Sequence, residues 1–198
     1  MFSNPPTKEL NLPFGKKAFF ASDFHLGAPN ISESQKREKK IVEWLSSIRS
    51  ETGVLFLVGD LFDFWFEYKH VIPKGFTRFL AEVSKFVDDG IPVFVYTGNH
   101  DIWMFDYLKN EIGVEILYEP TIFHINGKKF MVGHGDGLGP GDHKFKFLKR
   151  IFTFSLFQKM FSWLHPDIGV GLAQAWSNRS RTNPEDEKFE GEENERLM

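Results

Sequence analysis

Four short stretches of this chain carry side chains that can bind metal ions: Asp23-Phe24-His25, Gly59-Asp60, Gly98-Asn99-His100-Asp101 and Gly133-His134. Carboxylate, imidazole and amide oxygen donors together suit Mn²⁺, Fe or Zn²⁺, whereas an all-oxygen set would favour Mg²⁺ or Ca²⁺. Cysteine is absent, which excludes a thiolate ligand, a cysteine nucleophile and a disulfide framework. Two cations sharing one carboxylate, roughly 3.5–4 Å apart, can stabilise the attacking and leaving oxygens of an in-line phosphoryl displacement. Asp60 is the natural shared ligand. Asp23 and His25 are two apart, a spacing that in extended chain sends both side chains to the same side. Gly59 allows a tight turn that would expose the Asp60 carboxylate. Taken singly, a Gly-Asp after a strand is most often a turn and a lone Gly-His a packed histidine; the four together read as one site.

Such a site needs elements that deliver its parts to one place. Apolar runs at 17–22, 54–58, 92–97, 121–125 and 129–132 read as strands, and four of them lead directly into a motif. In a sheet of parallel type the carboxyl ends of the strands open on the crevice where ligands bind. A helix is expected over 34–50, from Ile41, Trp44, Leu45 and Ile48 at helical spacing among charged residues. A second is expected from Phe76, Phe79, Leu80, Val83, Phe86 and Val87, with Gly90 as its stop. Asn126-Gly127 between two apolar runs signals a hairpin over 121–132, because both residues tolerate positive φ. The alternation of strand and helix makes the class α/β, with that hairpin joining a mixed sheet.

From Leu138 the strand punctuation stops. The stretch 142–176 is rich in Phe, Leu and Trp, and seven basic side chains stand against two acidic ones between Leu138 and Arg181. It reads as a helical insertion. Phe145, Phe147, Phe152, Phe154, Phe157, Phe161, Trp163 and Trp176, interleaved with lysine and arginine, could meet acyl chains and an anionic bilayer surface, or could pack on the core. The last residues, 181–198, are acidic and rich in Glu, as a mobile segment would be.

With 198 residues and 41% hydrophobic content, the chain can bury one sizeable core. A net charge of −3 gives no electrostatic case for nucleic acid. No apolar run approaches the roughly 20 residues that span a bilayer, and the N-terminus has no signal-peptide pattern, so a cytoplasmic protein is expected.

In order, position and flanking glycines, the motifs DFHLG, GDLFDFW, GNHD and GHGD resemble the calcineurin-like metallophosphoesterase family. The resemblance implies a β-sandwich of mixed sheets flanked by helices, with a helical cap insertion and with C-terminal strands missing. Core, cap and acidic segment would be 17–137, 138–180 and 181–198. Within the family the chain is most similar, from about Lys17 to Arg181, to the UDP-2,3-diacylglucosamine pyrophosphatases of lipid A synthesis. Those enzymes release UMP and the acylated sugar 1-phosphate.

The resemblance then implies two divalent ions, Mn²⁺ first among them. Asp23, His25 and Asp60 would hold one ion, and Asp60, Asn99 and His134 the other. Asn99 and His100 would act in catalysis, with His100 contacting a phosphate oxygen or protonating the leaving group. Asp63, Asp101 and Asp136 would orient ligating groups. Asp142 and Ser180 fall where the family contacts the sugar. The substrate would be a nucleotide-linked diacyl sugar, met at the cytoplasmic face of the inner membrane.

The sequence departs from the pattern in places. Many of these pyrophosphatases carry Arg where His100 stands, and Phe145 falls where Tyr is usual. The terminal Gly-His-x-His that completes both metal shells in the superfamily has no counterpart, since no His follows His165. A truncated chain with weakened metal binding and little activity is the expectation. The alternatives are a metallophosphoesterase for another phosphoester, which His100 permits, and a non-catalytic scaffold on the same fold. His70, His124, His143 and His165 are given no role, His124 being expected as a satisfied sheet residue.

Overall fold

The computed structural model describes residues 5–135 and 150–181, without the side chains at 173–174 and 176–181 of the last helix. Its order is β1 (Thr7–Leu10), β2 (Lys17–Ala21), α1 (Ile31–Ile48), β3 (Thr52–Val58), α2 (Thr77–Asp88), β4 (Val93–Tyr96), β5 (Glu115–Leu117), β6 (Thr121–Ile125), β7 (Lys128–Val132), α3 (Ser155–Ser162) and α4 (Pro166–Arg181). One sheet has the order β2-β3-β4-β5 and is parallel throughout. The other has the order β1-β6-β7, with β1 parallel and β7 antiparallel to β6.

Burial on both faces accounts for the unbroken apolar character of β3 and β4, the central strands of the parallel sheet. Successive side chains take opposite faces. Leu55, Leu57, Val93 and Val95 join Ile41 and Leu45 of α1 and Phe79, Val83 and Phe86 of α2 in one core. Val54, Phe56, Phe94 and Tyr96 join Phe123, Ile125 and Val132 of the second sheet in another. The layers are therefore helices, parallel sheet and mixed sheet, the sandwich that the resemblance implied. The hairpin β6–β7 lies in the second, mixed sheet, and among the described residues the sheet carrying the first three motifs has parallel pairs alone.

The hairpin turn forms as its sequence dictates, with φ of 48° at Asn126 and 77° at Gly127. Asn126 also accepts a hydrogen bond at Oδ1 from the Leu12 amide, 2.8 Å, which ties the chain after β1 to the turn. Helix α1 begins three residues earlier than its apolar spacing suggests, because the Asn30 side chain caps it by accepting from the Glu33 amide. Helix α2 has no capping side chain of its own, Phe76 standing there in the left-handed region. Glu38 of α1 supplies the missing acceptor, taking the Arg78 and Phe79 amides at 3.1 Å each. At its other end Gly90, φ 74°, turns the chain back, with Gly90 N–H donating to Val87 O and Ile91 N–H to Phe86 O.

Candidate metal centre

All four motifs arrive at one end of the sandwich. Asp23 and His25 follow β2, Asp60 follows β3, Asn99 and His100 follow β4, and His134 follows β7. Backbone bonds stitch the exits together: Asp23 N–H donates to Gly59 O, and His25 N–H to Asp60 O. The Asp23 to His25 segment is not extended, as its spacing alone suggested. Asp23 has φ 57° and His25 φ 43°, so two left-handed residues, not strand alternation, bring their side chains together, with His25 Nε2 4.0 Å from Asp23 Oδ1. Asp60 is also left-handed, φ 52°. Non-glycine residues in this region cost backbone strain and gather at functional sites.

Nor is Asp60 exposed by the turn at Gly59. It is 4% exposed and sits at the centre of the cluster. Its Oδ1 accepts from the His100 amide at 3.0 Å, while its Oδ2 lies 3.5 Å from His134 Nε2 and 3.9 Å from His25 Nε2. Burial works to raise its pKa, but the His134 and His100 imidazoles outweigh it and hold the carboxyl below its ordinary value. Close approach explains both neighbouring glycines. A Cβ at Gly98 would stand 2.1 Å from Asp60 Oδ1, and one at Gly59 would stand 2.6 Å from the His134 ring.

The histidines are oriented through their Nδ1 atoms. His134 Nδ1 lies 3.0 Å from Val58 O, and His100 Nδ1 3.1 Å from Asp63 O. A carbonyl can only accept, so each Nδ1 carries a proton, and loss of the Nε2 proton would free that nitrogen to bind a metal ion. Among the described residues two groups bring potential ligand atoms within 4.8 Å of one another, His25–Asp60–His100 and Asp23–Asp60–His134. Asp60 belongs to both, as a shared ligand should. His100 stands beside His25 in the first group, ring centroids 4.9 Å apart. This mix of two carboxylates and three imidazoles, with the Asn99 amide exposed beside them, fits divalent transition ions better than Mg²⁺ or Ca²⁺.

Asp101 is fully buried and accepts three amides, Gly98 at Oδ1 and Leu61 and Phe62 at Oδ2. It thereby locks the turn after β4 to the turn after β3. Burial, with Asp60 close by, pushes its carboxyl up to about 7 against the pull of those amides. Asp63 lies with Oδ1 3.6 Å from His100 Nδ1. Asp136 and Asp142 fall outside the described residues, and the Ser180 side chain likewise. His124 pairs with Glu9 at 3.0 Å in the second sheet, away from the centre.

Sequence reasoning passed over three residues that shape the site. Glu67, buried, accepts from the Trp65 indole at Oε1 and from the Phe105, Asp106 and Tyr107 amides at Oε2, fixing the chain beyond the third motif. Ser34 and Arg37 of α1 hold the turn after β2. Their types are ordinary for a surface helix or loop, and nothing local distinguishes them.

The helices beyond the fourth motif meet the core through aromatic rings. Phe161 packs against Phe66 at 4.8 Å and Trp103 at 4.7 Å, and the Trp103 indole donates to Phe152 O at 2.8 Å. Phe154, Leu156, Met160, Trp163, Ile168 and Leu172 stay exposed. Of the aromatics in this stretch, Phe152, Phe157 and Phe161 make ring contacts, while Phe154 and Trp163 face outward. Phe145 and Phe147 fall outside the described residues, as does the Trp176 side chain.

The profile of the family described as calcineurin-like phosphoesterase matches residues 17–193. The chain belongs to that family of metal-dependent hydrolases and has its fold. It is 36% identical over 176 residues to a UDP-2,3-diacylglucosamine hydrolase of Porphyromonas gingivalis, covering 88% of this chain and 67% of that one. It is 26% identical to the protein of that name from Histophilus somni, covering 85% and 70%, and 29% identical to that of Neisseria meningitidis serogroup B, covering 75% and 60%.

Proposed function

We propose that this protein hydrolyses the pyrophosphate of UDP-2,3-diacylglucosamine, giving UMP and 2,3-diacylglucosamine 1-phosphate. The observation that carries the reading is the Asp60 carboxylate, buried, left-handed and shared by two groups of candidate ligands at the converging strand ends. The 36% identity to a relative of that name supports the substrate. Asp60, Asp23 and His25 would hold one divalent ion and Asp60, Asn99 and His134 the other, with Mn²⁺ the preferred metal. Bound there, the ions supply an acidified water and neutralise charge on the phosphorus oxygens.

The chain's own residues do the rest. Asp23 and Asp60 present carboxylates of fixed direction, because their backbones are held in turns that strand geometry would not give. His134 keeps its proton at Nδ1 on Val58 O, which leaves Nε2 for ligation. His100, held at Nδ1 by Asp63 O, in its imidazolium form donates from Nε2 to a phosphoryl oxygen and gives that proton to the departing phosphate.

Residues 17–137 form the catalytic core in this reading and 138–180 a cap, in which Asp142 and Ser180 contact the sugar. The exposed apolar side chains of α3 and α4, with Arg150 and Lys159 nearby, support acyl-chain contact and a peripheral position on the cytoplasmic face of the inner membrane. Among the described residues no helix is long and apolar enough to cross a membrane. The test offers UDP-2,3-diacylglucosamine, a cyclic nucleotide and a phosphoprotein side by side with Mn²⁺. Preferred release of UMP is expected, and preferred cleavage of either other substrate would overturn the assignment.

A further inference from the structure

The geometry points to Arg37 of α1 as a positioning residue for the turn that carries Asp23 and His25, an inference that rests on the metal-centre reading above. Within five residues this turn contains three left-handed positions, Asp23, His25 and Gly27, with φ of 57°, 43° and 114°. Two of the three are not glycine, so the turn needs outside support to persist. Its amides are held from the exit of β3: Asp23 N–H by Gly59 O, His25 N–H by Asp60 O and Leu26 N–H by Leu61 O. Those bonds leave the carbonyl side of the turn to be fixed. Arg37 Nη1 donates to Phe24 O at 3.0 Å and to His25 O at 2.8 Å. Those two carbonyls belong to the peptide units on either side of the His25 Cα. Holding both planes from one guanidinium nitrogen fixes φ and ψ of His25 together, and with them the direction of its imidazole.

One helical turn earlier, Ser34 Oγ accepts the Gly27 amide at 2.7 Å. Positions 34 and 37 share a helix face, so α1 grips the turn at two points. The planar fork of arginine suits this double donation, whereas a lysine ammonium keeps the charge without the fixed directions. Arg37 touches neither substrate nor reacting atoms in this account. It sets the shape of the ligand turn before any ion arrives.

The test compares the unmodified chain with Arg37→Met, Arg37→Lys and a control, Lys40→Ala, on the exposed side of α1. Two quantities are read: the Cα chemical shifts of Asp23 and His25 in metal-free protein, which with their Cβ shifts and intraresidue HN–Hα Overhauser effects report left-handed φ, and Mn²⁺ affinity by calorimetry. Arg37→Met is expected to move both shifts out of the left-handed range and to weaken Mn²⁺ binding about 10- to 100-fold, the range for residues that orient metal ligands. Arg37→Lys should fall between, and it gives the same readout if Arg37→Met does not fold. Lys40→Ala should change neither quantity. If the unmodified chain takes up no Mn²⁺, the metal-centre reading fails and the Cα shifts alone decide for or against Arg37. Left-handed shifts retained in folded Arg37→Met or Arg37→Lys protein would overturn the inference.

Discussion

Asp60 concentrates the chemistry of this molecule in a single side chain, and its surroundings leave no slack. Its Oδ1 is held by the His100 amide, its backbone is left-handed, and Gly98 passes where any Cβ would collide with it. Gly98→Ala is therefore expected to displace the carboxylate, lowering Mn²⁺ affinity by at least about tenfold while far-ultraviolet circular dichroism stays native; calorimetry checks it. Asp101→Ala should weaken metal binding about 10- to 100-fold, because three amides lose their common acceptor and the turns after β3 and β4 separate. An unchanged affinity in either variant would show that the turn does not position the ligands. The candidate ligands were all legible in the sequence, since Asp, His, Asn and Gly after apolar runs declare themselves by type and place. What local pattern could not show was the backbone at Asp23 and His25, whose left-handed conformations are imposed by β3 and α1 from far along the chain.

Helices and strands explain why the turns stay where they are. Glu38 of α1 caps α2 in place of a local residue, so Glu38→Ala should cost about 1 kcal/mol, the usual worth of a lost cap, and leave Mn²⁺ affinity unchanged. Denaturant unfolding measures the first quantity and calorimetry the second. Tyr96 of β4, turned toward the second sheet, gives a pH signature. Burial pushes its phenol up to about 12, with Glu115 adding to the shift and Thr121 opposing it. An unfolded tyrosine titrates near 10, so the stability that depends on the neutral phenol is full below about pH 10 and lost as pH rises through about 12. Thermal melts should accordingly show Tyr96→Phe gaining on the unmodified chain between those values, and a constant difference would contradict the buried assignment. Strands β2, β3, β4, β6 and β7 and both crossover helices could be read from periodicity and turn residues. Strands β1 and β5 could not, because Thr7–Leu10 and Glu115–Leu117 are short, half-exposed edges with charged residues and no strong alternation.

At the level of the whole molecule, two sheets bring their strand ends to one centre, and a pair of helices leans on it through Trp103 and Phe161. Apolar side chains of those helices, Trp163 and Leu172 among them, stand exposed, in keeping with the acyl-chain contact proposed above. Trp163→Ala is expected to weaken sedimentation with anionic vesicles about tenfold, the loss of one large apolar contact, without altering the fold. Equal binding by the variant would remove this face from the account. Following UMP release from UDP-2,3-diacylglucosamine with saturating Mn²⁺ measures the proposed reaction itself. Release is expected that stops on adding a chelator and is lost in Asp60→Asn protein. UMP release that survives the chelator, or no release from this substrate by folded protein carrying two ions, would contradict it.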